Sequence, residues 1–304
     1  MSEILLHPPK RLYRAARFAS RPQSHSLNMI GFGFDGTACF RKGTAIAPDA
    51  IRLVASDIES YSPYLDLDLE EVAPFYDLGN LIVQQSGDAH QDYLAAHARI
   101  ERLTESRDFA ADGIQFLTLG GEHSISYSFI AKYLQAYPDL VLLHLDAHAD
   151  LREEYQGYHY SHASIIRRCL DHFGPGHQLF QFGIRSGTRE EYAWMRANKT
   201  LAPNLDAFVA FIDGLPASRP IYLTLDLDYF DPAFMPGTGT PEPGGQDFFS
   251  FVRIVQALRS KKMVAADVVE LSPPVDASGN SDVFATKVVR ELILAFHREE
   301  HHEH

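Results

Sequence analysis

Residues 143–150 read LHLDAHAD and residues 222–232 read YLTLDLDYFDP. Each is an apolar run that ends in alternating acids, the pattern of a buried strand whose last residues turn polar. Successive side chains of an extended backbone point to opposite faces, so Asp146, His148 and Asp150 project to one side, as do Asp226 and Asp228. Four carboxylates gathered in one small volume repel one another and raise each other's pKa, whereas divalent cations convert that repulsion into coordination. Carboxylate oxygen mixed with imidazole nitrogen suits Mn, Ni, Co, Fe or Zn better than Ca or Mg. A third stretch, LGGEHS at 119–124, follows the strand-like IQFLTL and holds His123 in a glycine-permitted turn at another strand end. Six such side chains are too many for one tetrahedral site and suit two ions, with two aspartates bridging.

Working outward, apolar runs that read as buried parallel strands recur at about 27–33, 114–119, 140–145, 178–184, 221–227 and 263–269, with helix-like patterns between several of them. The expected fold is α/β, a three-layer α/β/α sandwich with a mainly parallel central sheet. In such folds the strand ends and the loops after them build the site, which is where the candidate ligands fall. No internal repeat or linker-like shift in composition interrupts the chain, so residues 1–304 are read as a single domain. The Arg-rich first 25 residues, which contain RPQSHS, read as an arm on the surface or at a subunit contact. The C-terminal HREEHHEH at 297–304 looks like a metal-binding tract but reads as the solvated end of a helix that begins near 283.

A hydrophobic content of 45% in 304 residues is ample for a sizeable core. Asp and Glu number 40 against 27 Lys and Arg, a balance that argues against nucleic acid and anionic membranes and suits a cationic substrate. Cys39 and Cys169 supply no disulfide framework, and nothing reads as a signal peptide or a membrane span, so a cytoplasmic location is expected.

GGEHS, DAHAD, SHAS at 161–164, LDLDYFDP and PGTGTPEPGG at 236–245 together resemble the ureohydrolase family, and within it agmatinases rather than arginases. The resemblance runs from FDGTACFRKGTAIAPDAIR at 34–52 to VVELSPPVD at 268–276. Ala163 and Ser164 stand where Gly and Thr are frequent, and GFGFDGT replaces the commoner GxPFD opening. The resemblance implies an arginase-like fold and two Mn2+ per chain, with Ni2+, Co2+ or another divalent ion as alternatives. It further implies that Asp146 and Asp226 bridge the ions, that His123 and Asp150 complete one site, and that His148 and Asp228 complete the other. Asp150 would also orient a water made acidic between the ions, whose pKa falls from about 16 towards 7. Glu270, in VVELSPP, matches the family's guanidinium-binding carboxylate, and His162, in YSHAS, its proton-shuttling histidine. Asp150, His162 and Glu270 are therefore the catalytic candidates.

The segment LREEYQGYHYS at 151–161 joins two site residues and should wall the substrate channel, with Tyr155, Tyr158 and Tyr160 against an aliphatic tail and Glu153 or Glu154 facing a cationic tail end. PGTGTPEPGG has the glycines and prolines of a constrained turn and suggests a second wall. The implied reaction is hydrolysis of a small cationic guanidino compound, agmatine giving putrescine and urea, by a homotrimer or homohexamer. The alternatives are hydrolysis of 4-guanidinobutyrate or 3-guanidinopropionate, a single-zinc deacetylase-like hydrolase, and a noncatalytic family member.

Overall fold

Along the run that ends in Asp226, Ile221, Leu223 and Leu225 pack into one apolar layer while Tyr222 packs into another. A strand buried on both faces is the property that makes it readable as a continuous apolar run. The computed structural model describes residues 4–297. Among these the strands are β1 (Leu6–His7), β2 (Arg17–Phe18), β3 (Ser26–Phe32), β4 (Tyr61–Ser62), β5 (Leu67–Asp68), β6 (Tyr76–Leu81), β7 (Ile114–Gly120), β8 (Val141–Leu145), β9 (Gln178–Phe182), β10 (Pro220–Asp226) and β11 (Lys262–Val269). Nine of them form one sheet in the order β1-β6-β3-β7-β11-β10-β8-β9, with β2 also paired to β6, and β4 and β5 form a separate hairpin. Every pairing in the large sheet is parallel except that of β1 with β6.

The helices are α1 (Ala47–Ala55), α2 (Ala89–Leu103), α3 (Tyr127–Ala136), α4 (Ile165–Leu170), α5 (Arg189–Asn198), α6 (Leu205–Gly214), α7 (Phe248–Leu258) and α8 (Asn280–Phe296). Ile51 of α1, Phe208 of α6, Phe251 of α7 and Val288 of α8 pack on one face of the sheet. Tyr93 of α2, Phe129 of α3, Ile165 of α4 and Met195 of α5 pack on the other, which makes the three-layer α/β/α sandwich expected from the sequence. The six anticipated strands are present within a residue or two, and the last helix begins at Asn280 rather than near 283.

β6 was not anticipated, because YDLGNL mixes polar residues and a glycine into the run. Its Asp77 is tolerated in the interior because Arg52 of α1 pairs with both carboxylate oxygens at 2.8 Å. Removing one partner of a buried pair strands the other charge, so this contact pins α1 to the sheet. The N-terminal segment lays β1 and β2 on the sheet edge, and Tyr13 between them is buried with its hydroxyl donating to the Thr286 carbonyl at 2.9 Å. Of the tail at 297–304, all but His297 lies outside the described residues. No described helix is long and apolar enough to cross a membrane.

Candidate metal centre

Because β7, β11, β10 and β8 are neighbours and mutually parallel, their carboxyl ends open on one edge of the sheet. After β7 the chain must turn closely beneath the FDGT loop, and a Cβ on Gly121 would stand 2.0 Å from the Phe34 carbonyl oxygen. The turn delivers His123 as the first residue of a short 3-10 turn. Asp146 and Asp226 stand at the ends of β8 and β10 in matching local structures. Oδ1 of Asp146 accepts from the His148 amide at 2.6 Å, and Oδ1 of Asp226 accepts from the Asp228 amide at 2.8 Å.

That arrangement turns the remaining oxygens inward. Nδ1 of His123 lies 3.0 Å from Asp146 Oδ2, 3.1 Å from Asp150 Oδ2 and 3.4 Å from Asp226 Oδ2. Nδ1 of His148 lies 3.0 Å from Asp228 Oδ2 and 3.5 Å from Asp146 Oδ1. All six side chains singled out from the sequence are therefore brought together, in two donor groups that meet at Asp146. The buried Nδ1 of His123 has no hydrogen-bond partner although three carboxylate oxygens surround it, which is the geometry of a nitrogen and oxygens arranged around a cation rather than around one another. Burial and the neighbouring charge of Asp146 push the Asp150 carboxyl up to about 7. Burial, with Asp228 and Asp146, likewise raises Asp226. Such carboxylates call for positive charge, and the donor set fits two divalent ions.

Glu270 follows β11 with a left-handed backbone, φ 68°. Its amide donates to the Gly121 carbonyl at 2.9 Å, and its Oε1 accepts from the His123 amide at 2.8 Å. Burial, with Glu122 nearby, raises its pKa. His162 opens a 3-10 turn held by reciprocal hydrogen bonds between Ser161 and Ser164, which is the local work of the serine in SHAS. A cavity of about 200 Å3 is lined by His162 together with His148, Asp150, Arg152, Tyr155 and Thr240. Burial first, then His148 and His123, push the His162 pKa down to about 4, so its imidazole is neutral near pH 7, and its buried Nδ1 has no hydrogen-bond partner.

The 151–161 segment departs from expectation in its charges. Arg152 lines the cavity, stacked over Tyr155 at 4.7 Å. Glu153 instead pairs with Arg167 at 3.0 Å and Arg168 at 2.8 Å, and Glu154 is exposed and does not line the cavity. Tyr155 meets His162 edge-on at 5.4 Å, whereas Tyr160 turns away to stack on Tyr93 of α2. The 236–245 loop is clamped by two arginines: Arg41 donates to the Thr238 and Gly239 carbonyls, and Arg185 to those of Glu242 and Asp228.

Several supporting residues escaped the sequence reading. His144 lies one strand period before Asp146, and its Nε2 is 2.8 Å from Asp146 Oδ2. The Gln181 amide donates to His144 Nδ1 at 3.0 Å while its oxygen accepts from Thr200 at 2.9 Å, so His144 carries its proton on Nε2 and serves Asp146 as a donor, not an ion as a ligand. Glu122 accepts from the Thr37 amide at 2.9 Å, from the Thr37 hydroxyl and from Ser124 at 2.7 Å, which ties GGEHS to FDGT. The period-two pattern of 144, 146, 148 and 150 was the available signal for His144. Nothing in the local sequence marks Gln181.

A parallel α/β sandwich with a His–Asp cluster for two divalent ions at its strand ends defines the arginase-type class of metallohydrolase folds. The chain belongs to the Arginase family, whose model matches residues 25–295. It is 37% identical over 283 residues to an agmatinase of Bacillus cereus, covering 91% of this chain and 94% of that one. A crystal structure from Clostridium difficile has a TM-score of 0.79 and 35% identity over 90% of this chain and 98% of its own. The agmatine ureohydrolase of Thermoplasma volcanium has a TM-score of 0.73 and 28% identity over 97% and 95%.

Proposed function

We propose that this protein hydrolyses agmatine to putrescine and urea, with His123, Asp146, Asp150 and Asp226 around one ion and Asp146, His148, Asp226 and Asp228 around the other. The observation that carries the reading is Glu270, whose carboxyl group is fixed by the amide of His123 and, with burial and Glu122 opposing its ionisation in the empty site, calls for a cationic partner such as a guanidinium. Two divalent ions, when bound, supply Lewis-acid charge and an acidified water. The other steps belong to the chain. Glu270 holds the planar guanidinium by charged hydrogen bonds. Asp150 orients the attacking water and takes its proton, and His162, neutral at rest, relays that proton to the nitrogen of the departing amine as the C–N bond breaks. Tyr155 borders the path of the aliphatic tail. The family resemblance supports Mn2+ as the ion and a homotrimer or homohexamer, and the unbroken composition of the sequence supports a single domain.

A second reading, hydrolysis of 4-guanidinobutyrate, is favoured by Arg152, the one charge of the 151–161 segment that lines the cavity beside Tyr155 and His162. Competing agmatine, 4-guanidinobutyrate and arginine in one urea-release assay with Mn2+ decides between them. Arginine adds an α-carboxylate that needs dedicated donors, so agmatine should exceed it in kcat/KM by at least about a hundredfold, near 2.7 kcal/mol. Preference for 4-guanidinobutyrate would overturn the substrate and leave the chemistry standing.

A further inference from the structure

Three fully buried side chains behind the cluster take no part in the chemistry above: Tyr222 and Thr224 on β10, and Asp267 on the adjacent β11. The partners of Asp267 are hydroxyls rather than cations. Thr224 donates to Oδ1 at 2.7 Å and Tyr222 donates to Oδ2 at 2.8 Å. Burial pushes this carboxyl up, and His123 and then the neighbouring hydroxyls oppose that rise. Thr224 has one hydroxyl proton. Once it is given to Asp267, Oγ1 can act only as an acceptor towards His123 Nε2, which is 2.8 Å away. Nε2 must then carry the imidazole proton, and a neutral ring protonated there has a bare lone pair on Nδ1. That is the atom facing Asp146, Asp150 and Asp226.

We propose that Asp267 and Thr224 are positioning residues that hold His123 in the tautomer with Nδ1 bare, and so make it a metal ligand. The neighbouring His144, whose ring centroid is 5.4 Å from that of His123, carries its proton on the same nitrogen but turns that nitrogen to the cluster: an amide donor on Nδ1 leaves Nε2–H to donate to Asp146. Two adjacent buried histidines thus receive different duties from the groups behind them, as outer partners of metal sites do elsewhere.

The inference rests on the two-ion reading above, and the test separates the two. Mn2+ binding to the metal-stripped protein is titrated by the electron paramagnetic resonance of the free ion. Wild type should bind two ions. Thr224→Val keeps the shape of the side chain but removes the acceptor, and should weaken one of the two ions by about 10- to 100-fold, while Thr224→Ser restores wild-type affinity. Should the valine variant fail to fold, as judged by its circular dichroism, Asp267→Ala decides: Thr224 loses its acceptor, its hydroxyl is free to donate to His123 Nε2, and the same single ion should bind more weakly. Two ions held with wild-type affinity by Thr224→Val, or by Asp267→Ala where valine unfolds, would overturn the tautomer assignment and leave the proposed hydrolase intact. Fewer than two ions in wild type would overturn the two-ion reading itself.

Discussion

The sharpest perturbation of the proposed chemistry is Glu270→Gln. In the structure the His123 amide donates to Oε1 at 2.8 Å. A glutamine must keep its oxygen on that amide, because its nitrogen cannot accept. The NH2 group is thereby forced into the place of Oε2, where a bound guanidinium would offer an N–H of its own. One charged hydrogen bond is lost and donor is set against donor. With charged hydrogen bonds worth about 1.5–3 kcal/mol, the loss should reach about 3 kcal/mol, roughly 150-fold in kcat/KM. Since the guanidinium is held in ground and transition states alike, the loss should fall mainly on KM, with kcat little changed. The assay is steady-state urea release at saturating Mn2+, with the ion content of the same preparation measured by elemental analysis. Unchanged kcat/KM with both ions in place would refute the guanidinium role.

Asp226→Asn removes a carboxylate shared between both donor groups in the proposed scheme. It should lower metal content and nearly abolish turnover, whereas Asp66→Asn in the surface segment YLDLDLEE should do neither; retention of both ions by Asp226→Asn would remove it from the ligand set. His162→Ala should lower turnover with metal content intact and regain part of it with added imidazole, and full turnover without His162 would end its proton role. Because burial raises Asp150 to about 7 in the metal-free protein, a proton must leave it before an ion binds, so metal-induced stabilisation should grow as pH rises through 7. Each pH unit below that value should cost about 1.4 kcal/mol of ion binding per displaced proton, read as the difference in melting temperature with Mn2+ and with chelator; a difference as large at pH 5.5 as at pH 7.5 would contradict it.

The strands of the central sheet were legible because helices cover both faces, leaving apolar runs with little polar interruption. β6 was hidden for the same physical reason in reverse: its Asp77 is apolar in no sense and is stable only because Arg52, 25 positions earlier, meets it in space. The convergence of the six candidate ligands was legible since each follows a strand end in a short motif. Their supports were not, because the bond from Gln181 to His144 spans 37 positions and that from Thr224 to His123 spans 101. The charges of the 151–161 loop were misplaced for a third reason. Once the chain leaves the extended state, period two no longer says which side chain faces inward, and Arg152 rather than Glu154 reached the cavity.

The same limit explains the two most telling backbone features of the site. Asp150 and Glu270 adopt left-handed conformations, φ 52° and 68°, which glycine would occupy freely and which cost other residues on the order of 1 kcal/mol each. At both positions the strain buys a direction. Asp150 closes the irregular segment that follows the end of β8 at Leu145 and turns its carboxylate back to within 3.1 Å of His123, while its carbonyl is held by the Arg167 amide at 3.1 Å. Glu270 turns its carboxylate back over the same histidine's amide. Asp66 has the same left-handed backbone, φ 54°, on the surface, so what sets Asp150 and Glu270 apart is not the strain but where the turned carboxylates arrive. Both acids converge on His123, one on its ring nitrogen and one on its backbone, so the proposed ion and guanidinium sites share a single residue. A shift of His123 would therefore disturb coordination and substrate binding together, which is why the buried groups that hold its ring matter to both.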